Sequence, residues 1–226
     1  MTGLITAFML FFSVETIKAQ TYLLGGANLS GITKDGGGNT EKNNFLFTFN
    51  GGLLHRFGAS KFVDIESGVV FTGKGAKAET YFNGGNDFVK STFNPIYVEI
   101  PLNAVIKVSS KKGSGIFVHA GPYIAVGIAG KSKVNSKLGI LTTSSEKSIA
   151  FSNDDPFTSR QDDANYNKLK RFDYGLNFGA GFELGKTLLR VNYGMGLSKI
   201  NSTQSNNSVD DKNKFRTLSM SVAFPL

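Results

Sequence analysis

The sequence predicts an all-β fold: an eight-stranded antiparallel up-and-down transmembrane β-barrel with short periplasmic turns and long extracellular loops. Three observations predict it. Polar and apolar residues alternate along segments longer than ordinary strands, the connections between these segments are short and long in turn, and the number of segments is even. An even number lets the sheet close with both chain ends on the short-turn side, so no strand edge is left unpaired in lipid.

The clearest element is the hairpin over 171–200, whose two runs meet at Gly185 and Lys186. With those residues as the turn, one face pairs only apolar side chains, and the other carries small, polar or charged ones. A two-residue loop that begins with Gly is favoured in tight hairpins. Each run is about 14 residues long, against the usual five or six, so the hairpin predicts two membrane-crossing strands.

The other strands are predicted from the same alternation. In chain order the eight are 20–32, 45–57, 62–74, 95–108, 116–131, 171–184, 187–200 and 215–226. The short connections are 58–61, 109–115 and 185–186, and the long ones are 33–44, 75–94, 132–170 and 201–214. The long connections are rich in Gly, Asn, Ser, Lys and Asp, which predicts mobile, solvated loops.

The amino-terminal segment predicts export. Residues 4–14 form an apolar run that is too short for the roughly 20 residues of a spanning helix. We expect a signal peptide over 1–19, cleaved after Ala19, followed by one barrel domain over 20–226. The alternative is a buried first helix. The chain has no Cys, so disulfides, lipoprotein attachment and thiol chemistry are excluded.

Composition limits the partners. The formal charge is +8 over 226 residues, but the basic residues are scattered and form no nucleic-acid-binding motif, so no nucleic acid is expected. Lys131, Lys133 and Lys137 form a basic start to the longest loop, where they are placed to touch lipopolysaccharide phosphates. A plain charged rim is the simpler alternative. No long apolar stretch follows the first residues, which excludes helical membrane proteins.

Which face of the strands points outward separates two kinds of barrel. A soluble, lipocalin-like barrel would place the aliphatic face inside and the polar face in water, and periodicity alone does not exclude it. The polar face is dominated by Gly, Ser, Asn and isolated charges, without the Lys and Glu density of a water-facing sheet. We therefore expect the aliphatic face to contact lipid.

Four segments carry a family resemblance: Tyr-Val-Glu-Ile-Pro-Leu at 97–102, Gly-Pro-Tyr at 121–123, and the glycine-rich strands at 173–183 and 193–197. They resemble the PorT-like outer-membrane β-barrel proteins typical of the Bacteroidota. The resemblance implies an exported eight-stranded barrel in the cell outer membrane. The family takes its name from a member needed for type IX protein secretion, which makes a secretion or envelope-assembly accessory one alternative function.

Inward-facing charges are the nearest thing to a site. They are Glu66, Glu99, Lys107, Asp173, Glu183 and Arg190. An eight-stranded barrel is just wide enough to be filled by side chains, so these charges are expected to plug the lumen, with Glu183 diagonal to Arg190 and within reach of an ion pair. A proton-linked or ligand-linked role is the alternative.

Aromatic residues are expected to form girdles at the two membrane interfaces. The predicted external set is Phe45, Phe71, Phe172, Tyr174 and Tyr193, and the periplasmic set is Phe57, Phe182 and Phe224. The alternative is a sandwich core in which these rings face one another.

Catalysis and metal binding find little support. The two histidines, His55 and His119, fall toward the short-turn side and lack a Ser/Asp partnership in the sequence, so the chain is not expected to be an enzyme. The acidic pairs at 154–155, 162–163 and 210–211 match no calcium-loop pattern, and no metal or cofactor is expected.

The predicted function is therefore a structural or interaction role in the cell envelope. The expected partners are outer-membrane lipid and lipopolysaccharide, with envelope or secretion proteins as further candidates. A small-molecule-binding barrel that uses the upper lumen is the remaining alternative.

Overall fold

The computed structural model describes residues 19–33, 45–58, 60, 62–109, 114–152, 168–200 and 213–226. In this part of the chain the strands are β1 (Ala19–Ile32), β2 (Leu46–Gly58), β3 (Val63–Gly73), β4 (Ala76–Phe82), β5 (Asp87–Ser109), β6 (Ser114–Leu138), β7 (Leu141–Ser148), β8 (Ala150–Ser152), β9 (Lys168–Lys170), β10 (Phe172–Leu184), β11 (Thr187–Gly196) and β12 (Phe215–Pro225). One 3₁₀ turn, Asn83–Gly85, joins β4 to β5. The predicted signal peptide lies outside the described residues except for Ala19, where β1 begins.

Eight strands close into an antiparallel barrel. Their order around the ring is β1, β2, β3, β5, β6, β10, β11 and β12, and β12 pairs back with β1. All eight predicted strands are present, with ends that differ mostly by a few residues. No helix in the described part of the chain is long and apolar enough to cross a membrane.

The β10–β11 hairpin has the predicted register. Phe182 pairs with Leu189 and Gly181 with Arg190. Gly185 has φ +62°, the positive value that the first residue of a type II′ turn requires. The sequence predicts this hairpin well because the turn residue and both alternating faces specify the same pairing.

The outer surface of the barrel is aliphatic and aromatic. Phe47 is 73% exposed, Ile124 62% and Met220 69%, whereas charged side chains such as Glu66 are buried inside. The lipocalin-like alternative requires the opposite arrangement and is contradicted. A surface of this kind is stable when lipid covers it.

Two of the predicted loops contain strands, so the prediction that these parts are loops was wrong, although β7 is fully exposed, in keeping with a solvated segment. Residues 76–82 form β4, which pairs with the first part of β5, and residues 141–148 form β7, which pairs with the last part of β6. Strands β5 and β6 have 23 and 25 residues, and their ends pair with each other beyond the barrel. The result is a four-stranded extension of the wall, in the order β4, β5, β6, β7.

Apolar side chains fill both ends of the lumen. The cluster toward the short turns contains Tyr22, Leu24, Leu54, Val70, Val105, Phe117, Leu188 and Ala223. The cluster at the other mouth contains Tyr97, Tyr123, Ala125, Ile149, Leu169, Ile200 and Phe215. Phe151 of β8 joins this second cluster, with its ring 5.6 Å from that of Tyr97. These two apolar plugs share the lumen with polar and charged side chains.

Candidate functional site in the barrel lumen

A buried cluster of two arginines and two glutamates lies toward the short-turn end of the lumen. Glu66 is fully buried on β3, and its Oε2 accepts hydrogen bonds from Arg56 Nη2 at 3.0 Å and from Arg190 Nη1 at 2.6 Å. Asn103 Nδ2 donates to Glu66 Oε1 at 3.3 Å. Two guanidinium groups thus share the Glu66 carboxylate from two sides, so each buried charge has a partner of opposite sign, as burial requires.

Arg56 extends the cluster across the barrel. Its Nη1 donates to Glu183 Oε1 at 2.9 Å, and its guanidinium lies 4.6 Å from the centre of the Phe117 ring. The predicted Glu183–Arg190 pairing along the hairpin is not the one adopted. Arg190 turns to Glu66 instead, because the closed barrel brings β2 and β3 opposite β10 and β11.

A second charge cluster lies nearer the mouth of the barrel that carries the long connections. The buried Lys74 Nζ lies 2.8 Å from Asp173 Oδ2 and 2.9 Å from Glu99 Oε2. Tyr123 donates its hydroxyl to Asp173 Oδ2 at 3.1 Å, and Ser198 donates to the other oxygen of Asp173. The ammonium also sits 4.1 Å from the centre of the Tyr123 ring, a cation–π contact.

Polar side chains link the two clusters. Asn177 donates to Glu99 Oε1 at 3.0 Å and accepts a hydrogen bond from Asn192 Nδ2 at 3.0 Å. His119 Nε2 lies 3.0 Å from Asn192 Oδ1 and 3.3 Å from Arg190 Nη2. Polar contacts of 3.3 Å or less therefore run from Asp173 near one mouth to Glu183 near the other. At His119 the single atom Nε2 either donates to Asn192 Oδ1 or accepts from Arg190 Nη2, so only one of these two contacts is a hydrogen bond at a time.

The space left between the clusters is small. A cavity of about 60 Å³ is bordered by the lumen side chains, among them Lys74, Glu99, Arg190 and Asn192. This volume suits a few water molecules. Small-molecule sites usually occupy about 300–1,000 Å³, so a drug-sized ligand has no room here.

The structure places all six predicted lumen charges inside the barrel. Five belong to the two clusters, and Lys107 forms a separate pair with Asp64 at 2.7 Å near the short turns. The sequence reading missed the central roles of Arg56 and Lys74. The alternation along the strands could have placed both residues in the lumen. Arg56 is on the same face of its strand as the buried Asn50, and Lys74 is on the same face as Glu66.

The two histidines differ in setting. His119 lies in the lumen, whereas His55 lies at the short-turn end of β2 and meets the Phe57 ring edge-on, with the ring centres 4.4 Å apart. His55 Nδ1 also lies 2.8 Å from Thr21 Oγ1. Among the described residues no carboxylate hydrogen-bonds to His55, so the third member of a nucleophile triad is missing there.

All eight predicted girdle aromatics are exposed on the outer surface: Phe45, Phe57, Phe71, Phe172, Tyr174, Phe182, Tyr193 and Phe224. Their outward direction is incompatible with the sandwich-core alternative. The three acidic pairs considered for metal binding lie outside the described residues, and within the described ranges no group of three potential ligands occurs.

Comparison with known proteins places the fold. The model of a family described as "Outer membrane protein beta-barrel domain" matches residues 15–202. Ail of Yersinia pestis, solved with the heparin analogue sucrose octasulfate, is similar at 13% identity and a TM-score of 0.42, covering 92% of this chain and 99% of that one. Neisserial surface protein A is similar at 10% identity and a TM-score of 0.43, covering 92% of this chain and 99% of that one. OprG of Pseudomonas aeruginosa is similar at 11% identity and a TM-score of 0.39, covering 92% of this chain and 95% of that one. Among curated proteins, none matches the chain.

The family match covers most of the chain and agrees with the closed eight-stranded ring, the aliphatic outer surface and the charged lumen described above. The finer PorT-like resemblance remains a prediction from the sequence. The chain belongs to the outer membrane protein beta-barrel domain family.

Proposed function

We propose that this outer-membrane protein is a closed barrel with a structural or interaction role in the cell envelope, and that the strands beyond the membrane are its interaction surface. The observation that carries the proposal is the filled lumen. Two buried charge clusters and two apolar plugs occupy it from end to end, which favours a scaffold over a pore. We further propose that residues 1–19 are a cleaved signal peptide and that 20–226 form the mature domain.

The cavity argues against the small-molecule alternative. Its volume of about 60 Å³ is several times smaller than an ordinary ligand pocket. The secretion-accessory alternative rests on the PorT-like resemblance, and no feature of the described residues specifically favours it. Interaction through the extension is the more direct proposal, because β4 to β7 continue the wall beyond the barrel and every residue of β7 is exposed.

Planar-bilayer recording tests the closed lumen. We expect no current steps above the lipid baseline from purified protein reconstituted in 1 M KCl. The gel mobility of unboiled protein from the same preparation verifies that the protein is folded and inserted, so that failed insertion is not mistaken for a closed lumen. Reproducible conductance steps from inserted protein would contradict a plugged barrel and reopen a transport function.

Cysteine labelling of intact cells tests the orientation. The chain has no Cys, so Ser144→Cys in β7 and Lys186→Cys in the β10–β11 turn each introduce a single thiol. A membrane-impermeant maleimide is expected to label Ser144→Cys on intact cells, and Lys186→Cys only after the outer membrane is permeabilised. The reverse pattern would place the extension in the periplasm and overturn the proposed interaction surface.

A further inference from the structure

The extension carries a regular array of side chains on each face. Its paired strands align four rows on one face, which are Asn94–Lys131–Ser148, Lys77–Thr92–Lys133–Glu146, Glu79–Lys90–Asn135–Ser144 and Tyr81–Phe88–Lys137–Thr142. Side chains alternate between the faces of a strand, so every member of these rows points the same way.

This face continues the lipid-facing side of the barrel. On β5, Ile100 is exposed on the lipid side, and the alternation carries on unbroken to Asn94, Thr92 and Lys90. Phe93 has the opposite parity, and it packs against the apolar cluster at the barrel mouth. The rows above therefore face outward over the surrounding leaflet.

A β-bulge turns the lysines of β6 onto that outer face. Ile96 pairs with Ala129 but Tyr97 pairs with Gly127, which leaves Ile128 as an extra residue. Below the bulge, odd-numbered residues of β6 such as Tyr123 face the lumen, and above it they face outward. Lys131 is accordingly exposed, whereas an unbroken alternation would have directed it over the lumen.

Charge is unevenly divided between the two faces. Among the described residues of the extension, the outer face holds five lysines and two glutamates, an excess of three positive charges. The inner face holds Asp87 and Lys147, whose opposite charges cancel. We call the five outer lysines, Lys77, Lys90, Lys131, Lys133 and Lys137, the basic ledge.

The glutamates leave part of the ledge free. Lys131 Nζ lies 2.6 Å from Glu146 Oε1, and Lys77 Nζ lies 3.5 Å from Glu79 Oε1. The hydrogen bond from Lys131 lowers the pKa of Glu146. Lys133 and Lys137 have no ion-pair partner within the described ranges.

We propose that the three lysines of the basic ledge nearest the membrane, Lys77, Lys131 and Lys133, bind the phosphate groups of anionic lipids in the leaflet around the barrel; this rests on the proposed function, which places the extension outside the membrane. Lys131 stands opposite Asn94, two residues above the lipid-facing Ile96, or about 7 Å along the strand. That height falls within the headgroup zone, which is roughly 5–8 Å deep on each side of the hydrocarbon. Lys77 and Lys133 lie one row higher, and their side chains are long and flexible enough to bring the ammonium groups to the headgroups.

Lipid titration of the full-length folded protein in dodecylmaltoside micelles tests the proposal. Native mass spectrometry measures binding of diheptanoyl phosphatidic acid and of the matching phosphatidylcholine. Removing two ledge charges in Lys131→Gln/Lys133→Gln is expected to weaken phosphatidic acid binding about 25-fold, since each lysine near an anionic surface contributes about fivefold. The control Lys147→Gln/Lys186→Gln removes the same charge from the inner face and the far turn, and is expected to change binding less than twofold.

Three results would overturn the proposal. Equal affinity for the two lipids would show that the phosphate monoester is not recognised, and equal weakening by the control pair would reduce the effect to net charge. If inorganic phosphate displaced phosphatidic acid and bound with the same affinity, the site would be one for a free anion. The micelle measurement does not depend on orientation, so failure of the ledge is distinguishable from failure of the cysteine-labelling test.

Discussion

Glu66→Gln is expected to destabilise the folded barrel by about 3–5 kcal/mol, because it removes the carboxylate shared by two buried arginines. Glutamine keeps the size of the side chain but leaves Arg190 without an anionic partner. Arg56 retains only Glu183. Urea unfolding in detergent, followed by far-UV circular dichroism because the chain has no Trp, measures the difference.

The matched control is Glu146→Gln, which breaks an exposed ion pair of similar length on the extension. Its cost is expected to be far smaller than that of Glu66→Gln, since surface pairs are screened by water. If the two substitutions cost the same, Glu66 would not be the centre of a buried network.

A double substitution separates charge from packing. The variant Glu66→Gln/Arg190→Gln removes one positive charge together with the negative one. Its loss of unfolding free energy is therefore expected to be smaller than the sum of the losses in the two single variants. A coupling of about 1–3 kcal/mol is expected for groups in direct contact within one network. Strict additivity would show that Glu66 and Arg190 act independently despite their 2.6 Å contact.

The barrel wall was predictable because its residues are locally consistent. In the β10–β11 hairpin, the turn glycine and both alternating faces specify one register, and the structure adopts it. The contacts between side chains in the lumen were harder to predict from the sequence. Glu183 meets Arg56 of β2, a partner that is distant in sequence and not on an adjacent strand, so pairing rules for neighbouring strands could not find it.

The extension was missed for a different reason. Every residue of β7 is exposed, so no buried face marks it as a strand, and its Ser, Thr and Lys content resembles that of a loop. Its stability comes from pairing with β6. The bulge at Ile128 could not be predicted either. An extra residue exchanges the two faces of the strand beyond it, but no particular residue type marks its position.

Gly121→Ala is expected to prevent normal folding or to cost at least about 3 kcal/mol, at the upper end of what overpacking usually costs. A Cβ at this position would lie 1.9 Å from the backbone oxygen of Leu102 and 2.7 Å from Cα of Asn103. Those atoms belong to the wall itself and cannot rotate away as a side chain would. The fraction of protein that runs as the compact form on an unboiled gel, together with urea unfolding, measures the effect.

Gly194→Ala is the control that tests this reasoning, since Gly194 also lies on a barrel strand. Its nearest neighbours would stand 3.4–3.8 Å from the new methyl group, which is ordinary contact, so a change within about 1 kcal/mol is expected. Similar losses in both variants would mean that glycine is needed for general strand flexibility. A loss confined to Gly121→Ala would show that close approach of β5 and β6 is what requires glycine, and that this narrow spacing helps bring the lumen side chains into contact.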